Sequence, residues 1–207
     1  MYMANNSRYV VLVTFHGAQN LPIANIHNLS CNPFLEASII IPSRSRPEDG
    51  PLVWRTPTHP RTRDPVWNSR WIVSGVPQQG FRLDMYVKDE GSKARGGRLG
   101  KAEVIVTEGI MREGFEIREV SVKLQKRRGS IIPWAQTYAA TVLPGQHLHK
   151  HNRVHISLKV LGKAADQREN RIYTVGPSAC NFVYSLCISA SDMVQTHLHS
   201  IFRPFLG

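Results

Sequence analysis

Apolar and polar residues alternate along much of the first 161 positions, in short runs broken by turn residues. Tyr9–Phe15 is apolar and β-branched, and Phe34–Ile41 follows Pro33 and stops at Pro42. A period of two puts successive side chains on opposite faces of a strand. In Leu52–Thr56 this separates Trp54 from Arg55. In Val66–Val73, Trp67, Ser69, Trp71 and Val73 share one face, and Val66, Asn68, Arg70 and Ile72 the other. Phe81–Val87 sets Phe81, Leu83, Met85 and Val87 against Arg82, Asp84 and Tyr86. Leu99–Val106, Ile117–Leu124 and Arg153–Leu161 complete the series, the last with Val154, Ile156, Leu158 and Val160 on one side. Eight short strands with Pro, Gly and Asn turns, and no long helix, predict an all-β fold: an eight-stranded antiparallel β-sandwich.

Two segments depart from a minimal sandwich. Gln125–Asn152 is a long insert between the seventh and eighth strands, carrying Lys126-Arg127-Arg128, Trp134 and several histidines. Residues 163–207 form a linker and C-terminal tail, so the predicted domain covers 8–162. In the tail, Val183, Leu186, Cys187, Ala190, Val194, Leu198, Ile201 and Phe205 recur at three- and four-residue steps. That spacing gives one apolar helical stripe ending near Pro204, suited to docking on the sandwich, on a partner or on a bilayer surface.

Charge adds a partner class. The 26 Lys and Arg outnumber the 15 Asp and Glu, a formal net charge of +11. Residues 164–207 hold three of each sign, so the excess belongs to the body of the chain. Such an excess favours polyanionic partners: anionic lipid, nucleic acid or an acidic protein surface. No apolar run approaches the roughly 18 residues of a transmembrane helix, and Met1–Arg8 lacks the layout of a secretory signal. The three cysteines, Cys31, Cys180 and Cys187, form no CxxC. A disulfide scaffold and a zinc ribbon are therefore disfavoured, and a reducing cytoplasmic setting is expected.

Four local motifs, in order, resemble the C2 domain, a calcium- and phospholipid-binding β-sandwich. Val11–Pro22 looks like the first strand with its Ala-x-Asn-Leu corner (Ala18, Asn20, Leu21). Cys31-Asn32-Pro33-Phe34-Leu35 sits where the family has Ser-Asp-Pro-Tyr-Val. Asp64-Pro65-Val66-Trp67-Asn68 resembles an Asn-Pro-x-Trp-Asn turn. Phe81–Asp89 followed by Arg98-Leu99-Gly100-Lys101 resembles the fifth strand, third loop and Leu-Gly opening of the sixth. The C-terminal position of the Arg153–Leu161 strand implies the family's second permutation.

The resemblance also implies where calcium would sit. Calcium needs about 6–8 hard oxygen ligands, and the calcium-dependent relatives supply five loop carboxylates. Carried over, those positions fall near Ile26 (beside His27 and Asn28), at Asn32, Val87 and Asp89, and near Gly97, with Glu90 adjacent. Only Asp89 keeps a carboxylate in place, and Lys88, Lys93, Arg95 and Arg98 in the same loop repel a divalent cation. The degenerate positions Asn32 and Asp89 therefore predict calcium independence, with no metal and no cofactor.

Calcium-independent relatives often hold lipid headgroups on a basic patch of the third and fourth strands. The matching segment carries Arg55, His59, Arg61, Arg63 and Arg70, and Arg55 and Arg70 are expected on one face with Arg61 and Arg63 in the turn between them. Arginine's planar fork donates two parallel hydrogen bonds to phosphate. The alternative is a solvated face with pairs such as Arg63–Asp64. Lys88, Lys93, Arg95 and Arg98 form a second basic element at the tip that relatives press onto membranes. It lacks a large apolar residue, so its binding would be electrostatic and salt-sensitive.

Other chemistry is sparse. Lys126-Arg127-Arg128-Gly129-Ser130 reads as a charged loop or a basophilic kinase site. His147, His149, His151 and His155 suggest adventitious metal affinity rather than a dedicated site. No P-loop, Gly-x-Ser-x-Gly, His-Glu-x-x-His or dinucleotide fingerprint occurs, so no enzyme is expected. The expected function is calcium-independent binding of anionic membrane lipids by a peripheral, cytoplasmic adaptor. A protein-interaction module using the insert or tail is the alternative, and nucleic acid has only net charge in its favour.

Overall fold

The computed structural model describes residues 7–25, 29–42, 51–91, 97–125, 152–165 and 171–175. All lie in one compact unit, Met1–Gly176. In chain order the strands are β1 (Arg8–Gln19), β2 (Pro33–Ile40), β3 (Leu52–Arg55), β4 (Val66–Pro77), β5 (Gly80–Asp89), β6 (Arg98–Thr107), β7 (Glu116–Lys123), β8 (Arg153–Lys163) and β9 (Tyr173–Val175). A single 3-10 turn, Glu108–Ile110, interrupts them among the described residues.

Two antiparallel sheets result. One has the order β7-β8-β1-β4-β9 and the other β3-β2-β5-β6. The alternation in sequence becomes the division between core and surface. Val11, Val13 and Phe15 from β1, Leu35, Ala37 and Ile39 from β2, Leu83, Met85 and Val87 from β5, and Val154, Ile156, Leu158 and Val160 from β8 are all buried. Leu21, Trp67, Trp71 and Leu99 join the same core. Trp54 of β3 stacks on Trp71 of β4 with ring centroids 6.0 Å apart. The two rings therefore join the sheets, and Trp54 Nε1 donates to Ser69 Oγ at 3.0 Å.

The eight-stranded sandwich is present with its last long strand beside its first, as the second permutation requires: β8 pairs with β1. The structure adds a ninth strand from the segment read as linker and tail. Tyr173–Val175 pairs with Ile72–Ser74 on the open edge of β4, and Trp71 Nε1 donates to Thr174 Oγ1 at 3.0 Å. Gly75 permits this approach. It has φ +80°, and a Cβ there would collide with the carbonyl oxygen of Arg171. Three residues are too few for the alternation rule to find. The helical stripe of 183–205 lies outside the described residues.

One expectation fails. Arg55 and Arg70 do not share a face, because β3 pairs with β2 and β4 with β1, in different sheets. The chain between them crosses from one sheet to the other. A hairpin was the wrong picture for two neighbouring strands whose inward tryptophans must meet across the core.

Candidate functional site

At one end of the sandwich the β1–β2, β3–β4 and β5–β6 connections are laced together by hydrogen bonds. Asn32 is the centre. Its backbone N–H donates to Asp89 Oδ1 at 2.6 Å, and its carbonyl accepts the Glu90 N–H at 3.0 Å. Its side-chain oxygen accepts the Arg61 N–H at 2.9 Å. Arg61 has φ +54°, a left-handed conformation that costs a non-glycine residue, and the Asn32 bond holds it there. Asp89 is only 7% exposed, and its own N–H donates to the Gly97 carbonyl at 2.7 Å. The two oxygen-bearing positions that the resemblance implied for a calcium site, Asn32 and Asp89, thus accept backbone amides. Among the described residues, no group of three or more His, Cys, Asp or Glu gathers as a metal would need.

Beside Asn32, Cys31 is buried, and its thiol donates a weak bond to the Thr62 carbonyl at 3.1 Å. Burial, aided by the nearby Asp89 charge, pushes the thiol up to about 12. It therefore stays protonated and is no nucleophile.

Cations surround this clasp. Lys88 and Arg98 lie opposite each other on β5 and β6, and Phe34 lies opposite Lys88 on β2. Arg55 sits 3.9 Å over the Phe34 ring. Its guanidinium also pairs with Glu90 at 2.7 Å, with both side chains about half exposed (50% and 53%). Hydrogen bonds from Thr58 and from Arg55 hold Glu90 below the usual carboxylate range. Lys88 pairs with Glu36 at 2.6 Å. Arg98 faces the Tyr86 ring at 5.8 Å.

The predicted lipid-binding residues therefore divide. Arg55, Arg61, Lys88 and Arg98 gather around the Asn32–Asp89 clasp at the loop end of the four-stranded sheet. Arg63 is used internally: its Nε donates to the Leu21 carbonyl at 2.7 Å. The Arg63–Asp64 pair of the alternative reading is absent among the described interactions; Asp64 instead accepts the Asn20 N–H at 2.7 Å. Arg70 is exposed on the other sheet. Lys93 and Arg95, the calcium-loop region Ile26–Asn28, the Lys126–Ser130 cluster and His147, His149 and His151 lie outside the described residues.

Sequence reasoning missed Lys101 as part of this face. It lies opposite Tyr86 and reaches Asp84 at 2.9 Å and Glu103 at 3.0 Å. Burial alone lowers an ammonium's proton affinity, but the bonds to Asp84 and Glu103 outweigh it and raise the Lys101 value. The placement of Arg82, Asp84 and Tyr86 on one face was the available signal; the partner on the next strand was not.

The family model of the C2 domain matches residues 10–121. The chain belongs to the C2 domain family. Among solved structures, it is similar to the first C2 domain of plant Extended Synaptotagmin 1, at 14% identity and TM-score 0.51. That match covers 77% of this chain and 98% of the other. It is also similar to a portion of Extended-Synaptotagmin 2 made of the SMP domain and two C2 domains, at 13% identity and TM-score 0.51, covering 78% of this chain and 29% of the other. At such identities the likeness concerns the fold alone. No curated protein matches the sequence. C2 domains are generally membrane-, lipid- or protein-binding modules and typically non-catalytic. No helix among the described residues of this C2 domain is long and apolar enough to cross a membrane.

Proposed function

We propose that this C2 domain is a non-enzymatic, peripheral membrane adaptor in the cytoplasm that binds anionic phospholipid surfaces without calcium. The observation that carries the reading is the clasp itself. Asn32 Oδ1 and Asp89 Oδ1 each accept a backbone amide, and Arg55, Arg61, Lys88 and Arg98 lie at the same loop end. A divalent cation would meet repulsion there, whereas lipid phosphates would meet donors. Each Lys or Arg near an anionic surface contributes on the order of 1 kcal/mol. Glu36 and Glu90 hold Lys88 and Arg55 in reserve, and a phosphate competes for both cations. Binding by this route is salt-sensitive, because it releases or displaces counterions within a Debye length of about 8 Å.

Co-sedimentation with phosphatidylcholine, phosphatidylserine and phosphoinositide vesicles, each with calcium and with chelator, tests this. Binding to the anionic vesicles is expected to be indifferent to chelator and to be lost in the Arg55→Glu, Lys88→Glu, Arg98→Glu variant. Binding only with calcium would overturn calcium independence. Unchanged binding by the variant would overturn the site.

A further inference from the structure

The outer face of the five-stranded sheet differs in kind from the cationic loop end. Leu12 of β1 lies opposite Ile72 of β4, and Ile72 lies opposite Val175 of β9. Val10 lies two positions along β1 on the same face, and Leu161 bulges out of β8 beside it. Leu161, Tyr173 and Val175 are 42%, 39% and 40% exposed, and Val10, Leu12 and Ile72 are half-buried. Thr174, between Tyr173 and Val175, turns inward to Trp71, which leaves both neighbours facing out. The result is an apolar strip across four strands, on a face with no structural partner among the described residues.

The charge around the strip is lopsided. On the β7 side Glu116 already pairs with Arg118 at 3.1 Å and with Lys159 at 3.6 Å. On the β4–β9 side Arg70 and Arg171 are exposed and have no ion pair among the described residues. Arg70 lies one row from Ile72, opposite Thr14. Arg171 lies just ahead of β9 in the chain. Along β4 the two cations lie on either side of Ile72, Arg70 toward the start of the strand and Arg171 toward its end. An apolar centre with an unneutralised cation toward each end is complementary to an amphipathic segment that has carboxylates beside its apolar ridge.

Shape favours a helix over a plane. Strands lie about 4.8 Å apart, so β8 to β9 spans roughly 14 Å, enough for a helix about 10 Å across. A flat anionic bilayer would also meet Glu113, Glu116 and Glu119, which are exposed at the β7 flank. A helix over β1 and β4 avoids them. Helix on sheet is also how an apolar sheet face is ordinarily covered.

We propose that the outer face of β8–β1–β4–β9 docks an acidic amphipathic helix of another protein, with Leu12, Ile72 and Val175 as the apolar seat and Arg70 and Arg171 as its charge readers. The reading is independent of the lipid proposal, which uses the opposite sheet.

The test titrates the isotope-labelled full chain, followed by NMR, with an 18-residue peptide carrying Leu at helical spacing and Glu beside it. A Lys-for-Glu version and a scrambled version serve as controls. Amide shifts are expected at Val10, Leu12, Ile72 and Val175, with the acidic peptide only. Ile72→Glu and Arg70→Glu are each expected to weaken binding about ten-fold, a usual size for an interface anchor. Ile72→Thr keeps a β-branched residue and guards against loss of the fold; it is expected to weaken binding less, with an unchanged melting temperature. Arg55→Glu is expected to have no effect. Shifts located elsewhere, or equal binding of the Lys or scrambled peptide, would overturn the proposal. So would concentration-dependent shifts at this face without peptide, which would make a second copy the occupant. Loss of vesicle binding by Ile72→Glu with no peptide shifts would make the occupant a lipid surface.

Discussion

The two outer faces of the sandwich sit on the same core but are built oppositely. Across the four-stranded sheet run the rows Arg55–Glu36–Tyr86–Lys101 and Val53–Ser38–Asp84–Glu103, in which both signs of charge are interspersed and the exposed apolar residues, Val53 and Ile105, lie on the two edge strands. Across the five-stranded sheet the corresponding row is Lys159–Leu12–Ile72–Val175, three contiguous apolar residues with a cation at one end. In the first, the charged side chains form ion pairs with one another. Asp84 is buried beneath Lys101 and Arg82, at 2.9 and 3.2 Å. In the second, the exposed groups have little to satisfy except a partner. A charged face can remain solvated and bind by exchanging ion pairs, whereas an apolar face binds by losing water.

The largest expected effect comes from breaking what the faces share. Trp71→Ala removes the ring that stacks on Trp54 and the bond to Thr174, and about 3–5 kcal/mol of stability should be lost, read by urea unfolding. Asp84→Ala should cost about 1–3 kcal/mol, because it takes one of two carboxylate partners from a largely buried Lys101 (side chain 14% exposed) and the paired carboxylate from Arg82. By contrast, Leu12→Thr on the other face should change stability by less than about 0.5 kcal/mol. If the two cost the same, the contrast between a self-satisfied and a partner-directed face fails.

The third prediction concerns vesicles. Arg55→Glu alone should lower anionic-vesicle affinity by about ten-fold, from removing one surface cation and adding an anion. Arg70→Glu, the same charge change in the other sheet, should leave it nearly unchanged. Equal losses would mean that net charge, rather than placement, governs binding.

The smallest effect is a pH dependence. The bonds from Thr58 and Arg55 lower the Glu90 value, so its contribution to stability is present above the ordinary carboxylate range and is lost as pH falls through the lowered folded value. The pair is exposed, so that stability change is small. Protonation also releases Arg55. Vesicle affinity is therefore expected to rise slightly as pH falls, and Glu90→Gln should show the raised affinity already at neutral pH. Co-sedimentation across pH with both proteins checks this. A fall in affinity for Glu90→Gln would mean that Glu90 orients Arg55 rather than restrains it.

Much of the architecture was legible because a half-buried strand announces itself every second residue. Phe81, Leu83, Met85 and Val87 are buried, and Arg82, Tyr86 and Lys88 face outward, as alternation requires. Asp84 keeps that outward register yet is buried, because Lys101 and Arg82 close over it. The motifs around Asn32 and Asp64 likewise lie in connections, and Asp89 and Leu99 stand at the end of β5 and the start of β6, as the family resemblance implied. The ninth strand was not legible, since Tyr173–Val175 is three residues long and its stability comes from the β4 edge.

The amino-acid sequence by itself determined eight of the nine described strands, the inward residues and the excess of positive charge, because each is a property of residue type and spacing along the chain. Only the tertiary structure decided which cations lie together. Arg55 and Arg70 were separated by the crossing between sheets, Arg63 was drawn inward to the Leu21 carbonyl, and Lys88, Arg98 and Lys101 were brought to one face by β5–β6 pairing. Neighbourhood in space depends on which strands pair, and pairing is a long-range choice that no local pattern encodes.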